Sequence, residues 1–444
     1  MAQPVSNMKN QNQTRREFVK QTSLVAGSLM AMPLVSNANF FNSSADDTIK
    51  IALVGCGGRG TGAAMQALLT KQNVKFVAMA DAFRDRLDDC FKALSDPNNE
   101  DGNVSGKVSV TEENKFVGFD GYKKAIALAD VVILTTPPGF RPIHFEEAVR
   151  QGKHIFMEKP VATDPAGIKR VLDAAVIAKQ KKLNVVVGLQ RHYQNSYLEL
   201  YKRLQDGMIG DIVSAQAWWN SEGVWVNARK PGQTEMEYQM RNWYYFNWLC
   251  GDHITEQHIH NIDVINWFKG SYPVKAQGMG GREVRNGKEF GEIFDHHYVE
   301  FQYADGSVLN SQCRHIKGTM SKVDEQIMGT KGNIYCGNMN ITDRKGKVMY
   351  QFDKEKENNP YQTEHDELFA VIAKGEYKFA DAENGAKSTM TSILGRMATY
   401  SGNVVEWDAA INSGISIMPT TFDFKATPLC FQMRTDFIQL LFLV

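Results

Sequence analysis

Residues 251–263, Gly-Asp-His-Ile-Thr-Glu-Gln-His-Ile-His-Asn-Ile-Asp, crowd imidazoles and carboxylates into one short stretch. Read as a helix, the spacing puts His253, Glu256, Gln257, His260, Val264 and Trp267 on one stripe and turns His258 elsewhere. A histidine titrating near neutrality suits general-base work. His253, Glu256 and His260 could instead share a metal ion, being imidazole and carboxylate ligands on one face. On composition alone, polar residues on a wet helix face are the favoured reading. Two further segments could do chemistry. Gly55-Cys56-Gly57-Gly58-Arg59-Gly60 has the spacing of a phosphate-cradling turn, a weak signal by itself. Glu158-Lys159-Pro160 places a charged pair between an apolar run and a proline. On an open surface such a pair is worth little.

These groups need elements to position them. Ile49 to Val54 is apolar apart from Lys50, as expected of a buried parallel strand. The glycines follow at once, then a helical stretch to about Leu69, then a second apolar run from Val74 to Ala80 that ends at Asp81. In that setting Gly55 permits a tight turn, Gly57 lets a pyrophosphate approach the backbone, and Gly60 allows close helix packing. Gly58 and Arg59 open the helix, whose N-terminus offers N–H groups and a positive partial charge to phosphates. Asp81 would accept hydrogen bonds from the adenosine ribose diol and repel a 2′-phosphate. That favours NAD, although Arg59 and Arg84 could tolerate the phosphate, so NADP stays open.

The alternation continues with apolar runs at Ala129 to Thr135, Lys153 to Met157 and Asn184 to Leu189. Helical stretches lie at His144 to Gln151 and at about Asp164 to Lys181, and polar Asp96 to Val108 reads as a surface loop. The expectation is an α/β Rossmann domain over residues 46–190. After Gly210 the pattern turns to short alternating segments at Asp211 to Trp219, Asp295 to Tyr303, Ser307 to His315 and Asp324 to Met328. Hairpin-type turns fall at Asp305-Gly306 and Lys331-Gly332. This predicts an α+β domain over 191–425 with a large, mostly antiparallel open sheet.

These residues resemble the Gfo/Idh/MocA oxidoreductases, the family of glucose–fructose oxidoreductase and inositol dehydrogenase, over roughly residues 49 to 420. Four motifs carry the resemblance: Gly55 to Gly60, Thr136-Pro137 with His144, Glu158-Lys159-Pro160, and Gly251 to Trp267. Together they imply a nicotinamide-dependent oxidoreductase acting on a CH–OH group of a sugar, glycoside or polyol. The resemblance implies that Thr136 and Pro137 line the cofactor near its nicotinamide ribose, with His144 and Glu158 in the same cofactor site. It implies that Lys159 reaches the reacting hydroxyl and that His260 is the catalytic histidine. Glu256 falls where many members carry aspartate, so the longer side chain leaves open whether it orients His260, contacts substrate, or both. Homo-oligomers through the open sheet are implied as well. The family chemistry needs no metal, so none is expected.

Five of the seven tryptophans, Trp218, Trp219, Trp225, Trp243 and Trp248, fall close together, beside Tyr244, Tyr245 and Phe246. Aromatic faces suit the C–H faces of pyranose rings. Trp243 is expected against the substrate, and Arg191, followed by His192 and Tyr193, is expected to point into the cleft. The 50 basic and 50 acidic residues cancel, which gives no sign of a nucleic-acid partner. No apolar run in the body is long enough to span a bilayer. Six cysteines are too few for a disulfide framework in 444 residues.

Residues 1–45 read as an export signal. Arg15-Arg16 sits in a stretch similar to the twin-arginine signal, ahead of an apolar run from Thr22 to Val35 and the small-x-small site Ser36-Asn37-Ala38. A periplasmic enzyme exported already folded would need to hold its dinucleotide tightly and restore it within each cycle. At the other end, 426–444 is atypical. Phe437 to Val444 is almost wholly apolar, and codons exist for Cys430 to Val444 that in another frame encode a polar, proline-containing ending, so a frameshift is the hypothesis for this tail. Two other functions stay open: a redox-neutral NAD-dependent glycosidase working through a transient keto-sugar, and a sugar sensor on a retained Rossmann scaffold.

Overall fold

Fully buried strands build the first half of the molecule. The computed structural model describes residues 48–428. The proposed export signal and residues 429–444 lie outside them. β1 (Ile49–Val54), β2 (Val74–Asp81), β4 (Val131–Leu134), β5 (His154–Met157) and β6 (Val185–Val187) bury nearly every side chain. They read as continuous apolar runs because helices cover both faces of the sheet. The order is β3-β2-β1-β4-β5-β6, parallel throughout. Strand order reverses between β1 and β4, so a crevice opens beyond their carboxyl ends. The helices are α1 (Gly58–Leu69), α2 (Arg84–Ser95), α3 (Gly121–Ala127), α4 (Arg141–Arg150) and α5 (Pro165–Gln180). Edge strand β3 (Lys115–Val117) gave no sequence signal, because three residues are too few to show an alternation. The loop expected at Asp96 to Val108 holds a short turn at Ser105–Lys107, and Lys107 Nζ donates to the Leu68 and Thr70 carbonyls at 2.5 and 3.2 Å.

After α6 (Asn195–Gln205) the chain enters a nine-stranded sheet ordered β14-β13-β12-β11-β7-β10-β9-β8-β15. The four strands read from sequence correspond to β7 (Ile212–Ser221), β9 (His296–Gln302), β10 (Val308–His315) and β11 (Lys322–Gly329). β7 pairs parallel with β10 and antiparallel with β11. Every other pair is antiparallel. β8 (Lys275–Gly281) escaped notice because three of its seven residues are glycine. β12 (Gly332–Tyr335), β13 (Asn340–Asp343), β14 (Val348–Gln351) and β15 (Val405–Glu406) are too short to show a period.

The expected boundary at residue 190 is crossed a second time. Helix α11 (Pro360–Ala373) puts Leu368 and Phe369 into the core formed by Ile51, Leu53, Phe76 and Phe156. Ala380 then bridges Val185 of β6. The apolar face of the parallel sheet is therefore completed by chain that follows β14.

The histidine-rich stretch also departs from expectation. Beyond α7 (Glu235–Arg241) and α8 (Asn247–Cys250) it is two helices, α9 (His253–Glu256) and α10 (Ile259–Lys269), separated at Gln257-His258. His258, turned away from the cleft as the spacing predicted, anchors the break through Nε2 to Ser311 Oγ on β10 at 2.7 Å. With the helix interrupted, His253 leaves the expected stripe and is wholly buried beside His297 and His315. This dissolves the metal trio His253–Glu256–His260.

Candidate active site

A cleft of about 630 Å³ lies beyond the carboxyl ends of β1, β4 and β5. Its floor is the glycine turn. Gly55 has φ +100°, and a Cβ there would stand 2.4 Å from Thr136 N; one on Gly60 would stand 2.0 Å from the Gly55 carbonyl. Those two glycines are required by packing. Gly57 and Gly58 face open space, with nothing within 4 Å of an added Cβ. The turn thus presents bare backbone at the N-terminus of α1, whose first N–H groups have no helical partner. This fits the pyrophosphate of a dinucleotide. Asp81 accepts from Cys56 N at 2.7 Å through one oxygen and from Phe83 N at 2.9 Å through the other. Burial pushes its carboxyl up, and the two backbone donors oppose that.

At the end of β4, Thr136 Oγ1 and His144 Nδ1 are 3.1 Å apart. The His144 ring lies against Tyr122 and Phe140, with centroids at 4.3 and 5.9 Å. Burial lowers its pKa to about 3, so it is a neutral imidazole. Arg141, fully buried, donates to the Leu134 carbonyl at 2.9 Å and reaches the Pro160 carbonyl at 3.4 Å. It ties the end of β4 to the turn after β5. No local pattern singled it out.

That turn carries two adjacent ion pairs facing different ways. Glu158 accepts from Arg59 Nε, and Arg59 Nη2 lies 3.5 Å from the buried Glu364. Arg59 is therefore spent on carboxylates, and Arg84 pairs with Asp88 and Glu112. Arg59 still lines the cleft beside the glycine turn, as Arg86 does beside Asp81, whereas Arg84 does not. Lys159 Nζ donates to the Glu256 carbonyl at 2.6 Å and to Glu256 Oε1 at 3.1 Å.

His260 faces the same cleft from the first turn of α10, stacked on Trp219 with centroids 5.8 Å apart. Burial holds its pKa well below the usual histidine range, and the positive charges of Lys159 and Arg191 add to this. The free-base form therefore prevails at neutral pH. Of the roles left open for Glu256, a hydrogen bond that orients His260 is not made: Glu256 Oε2 and His260 Nδ1 are both buried without partners. Glu256 positions the lysine, because the break after α9 separates it from the helix that carries His260.

Among the tryptophans, Trp219, Trp225 and Trp243 line the cleft. Trp248 is core, donating to Gln239 Oε1 at 2.6 Å, and Trp218 lies under Lys322 Nζ, 3.4 Å from the ring centroid. The expectation for Arg191 is corrected. It turns away to the fully buried Glu325, which also accepts from Tyr197 Oη and Asn261 Nδ2. Its neighbours follow it: His192 bonds Asp263 and Tyr193 bonds Asp381. Tyr361 on α11 and Asn227 also line the cleft. Tyr361 comes from the returning chain, so nothing near it in sequence could have assigned it.

Comparison with known proteins follows the two sheets. Residues 49–189 match the model of the oxidoreductase family with an NAD-binding Rossmann fold, and residues 197–335 match the GFO/IDH/MocA C-terminal domain. An inositol 2-dehydrogenase from Gluconacetobacter diazotrophicus is 31% identical over 160 residues, covering 36% of this chain and 41% of that protein. A 2,7-anhydro-N-acetylneuraminate hydratase from Escherichia coli is 24% identical over 210 residues, covering 47% of this chain and 51% of that protein. The chain thus spans about half the length of these curated relatives. A scyllo-inositol dehydrogenase from Lactobacillus casei, solved with bound NAD(H) and scyllo-inositol, has the same fold at TM-score 0.60 and 20% identity, covering 82% of this chain and 100% of that one.

Proposed function

This chain belongs to the Gfo/Idh/MocA oxidoreductases, and on that premise we propose that it oxidises a ring hydroxyl of a sugar, glycoside or polyol, reversibly, with a tightly held NAD. The observation that carries this reading is the convergence of Lys159, fixed by Glu256, and a neutral His260 on the cleft floored by the open glycine turn. Gly57, Gly58 and Asp81 would hold the pyrophosphate and the adenosine ribose, and Thr136, Pro137 and His144 the nicotinamide end. When bound, NAD supplies the hydride acceptor. Lys159 stabilises the developing alkoxide by its positive charge, and His260 takes the hydroxyl proton. Trp219, Trp225 and Trp243 offer apolar faces to the ring. The inositol dehydrogenase among the relatives supports a polyhydroxylated ring as substrate class. The arginine pair at Arg15-Arg16 supports export of the folded protein to the periplasm, and the outward face of the nine-stranded sheet is the proposed contact between copies.

The hydratase relative favours a second reading. In a redox-neutral cycle the hydride returns after elimination from a transient keto-sugar, and a glycosidic bond is hydrolysed. One experiment separates the two. The purified chain is denatured and any released dinucleotide identified, and intact enzyme is incubated with glycosides. Keto-sugar accumulating with an added acceptor supports oxidation. Free sugar without net redox change supports hydrolysis. Absence of both dinucleotide and turnover overturns both.

A further inference from the structure

Behind α9, away from the cleft, Asp252, His253 and His297 bring a carboxylate and two imidazoles together. One ligand atom from each lies within 4.8 Å of the others, and all three residues are buried. We propose that these three residues form a divalent transition-metal site, zinc by its ligand chemistry, that fixes the start of α9.

The groups behave as ligands rather than as an isolated ion pair. Both ring nitrogens of His253 are buried and make no hydrogen bond, an arrangement that protein interiors avoid. His297 Nε2 lies 3.3 Å from Asp252 Oδ2, and His253 Nε2 lies 3.9 Å from Asp252 Oδ1. Ligands about 2.0 Å from a tetrahedral zinc stand roughly 3.3 Å apart, so a small rotation of His253 completes the set. The outer partners are already in place. His297 Nδ1 bonds Thr399 Oγ1 at 2.9 Å, which leaves Nε2 facing Asp252. Asp252 Oδ2 accepts from Tyr400 Oη at 2.6 Å and from Phe294 N at 3.0 Å. Such second-layer contacts orient metal ligands. Asp252 itself takes φ +71°, a conformation that non-glycine residues adopt only when their surroundings hold them there. His315 stacks on His253 with centroids 4.3 Å apart, but it stands outside the ligand set. The site shares no residue with the cleft, yet His253 and Glu256 are the two ends of α9. A bound ion would brace the helix that carries the partner of Lys159.

The test uses the full chain. It is incubated with excess Zn²⁺ or Co²⁺, freed of unbound ion by gel filtration, and assayed by elemental analysis. The cobalt form is examined for visible d–d absorption. The expected result is one ion per chain, a four-coordinate cobalt spectrum from the three side chains and one water, and a melting midpoint that falls when the ion is chelated. His253→Phe should keep the ring volume, lose the ion and become insensitive to chelator, while His315→Phe should retain the ion. Chains that emerge metal-free after loading, or binding that survives in His253→Phe, would overturn the assignment. If His253→Phe does not fold, stoichiometry and the cobalt spectrum of the unaltered protein decide by themselves.

Discussion

Lys159 and Arg191 sit at comparable places: each follows a strand of the parallel sheet, β5 or β6, and each ends against a buried carboxylate. Their surroundings differ in one respect. Glu325, the partner of Arg191, is saturated by Arg191, Tyr197 Oη and Asn261 Nδ2, and its side chain is wholly out of solvent. Glu256, the partner of Lys159, keeps one oxygen without a donor, and its pair borders the cleft. Under the proposed function, the cation whose carboxylate partner is incompletely bonded and borders the cleft is the one available to a ligand. When the bonding is closed, the same arrangement is structural.

The comparison can be broken most decisively at the cleft. Lys159→Met and His260→Ala should each lower kcat by about 10²–10⁴-fold with little change in melting midpoint, as read by steady-state kinetics beside thermal unfolding. A large stability loss with normal turnover would put Lys159 in the class of Arg191. Next in size is Arg191→Met, which strands Glu325 as a buried unpaired charge. It should cost about 3–5 kcal/mol of stability in chemical denaturation and leave kcat of the folded fraction unchanged. Glu256→Gln sharpens the contrast further. It keeps a hydrogen bond to Lys159 but weakens a charge-assisted one, so kcat should fall about tenfold.

The smallest effect concerns pH. His260 is held below its ordinary value of 6.5, so it remains a free base as pH falls from 7.5 to 6.5. kcat/KM should then stay nearly constant over that interval, whereas a histidine titrating at 6.5 would lose about 1.8-fold. An unshifted histidine would be half protonated at pH 6.5. The same sign governs stability. Buried His144, His258 and His315 have pKa values lowered to about 3. Their contribution is complete above the unfolded value near 6.5 and is lost as pH falls from there towards 3. Acid denaturation monitored by fluorescence should begin below pH 6.5.

How far the sequence reached depends on range. The nucleotide half was legible because β1, the glycine turn, α1, β2 and Asp81 are consecutive, and each step has a local cause. Lys159, His260 and Trp243 line the cleft, a placement legible because their motifs lie next to the elements that carry them. Arg191 was misplaced because its partner Glu325 comes from β11, 134 residues later. His253 was misplaced because a uniform helical period cannot reveal a break held by Ser311 on another strand. Tyr361 was invisible for the same reason. What failed was every assignment decided by a distant partner.

Joint action of Lys159 and His260 on one hydroxyl beside a bound dinucleotide is a directly testable proposal. It is met most directly by rapid mixing of the NAD-loaded full chain with a panel of polyols and glycosides while reduced nicotinamide is followed by absorbance. A burst of reduced cofactor is expected with at least one ring substrate, lost in Lys159→Met although that variant still binds NAD, and retained in Arg191→Met. A burst of equal size in Lys159→Met, or loss of the burst in a folded Arg191→Met, would contradict it.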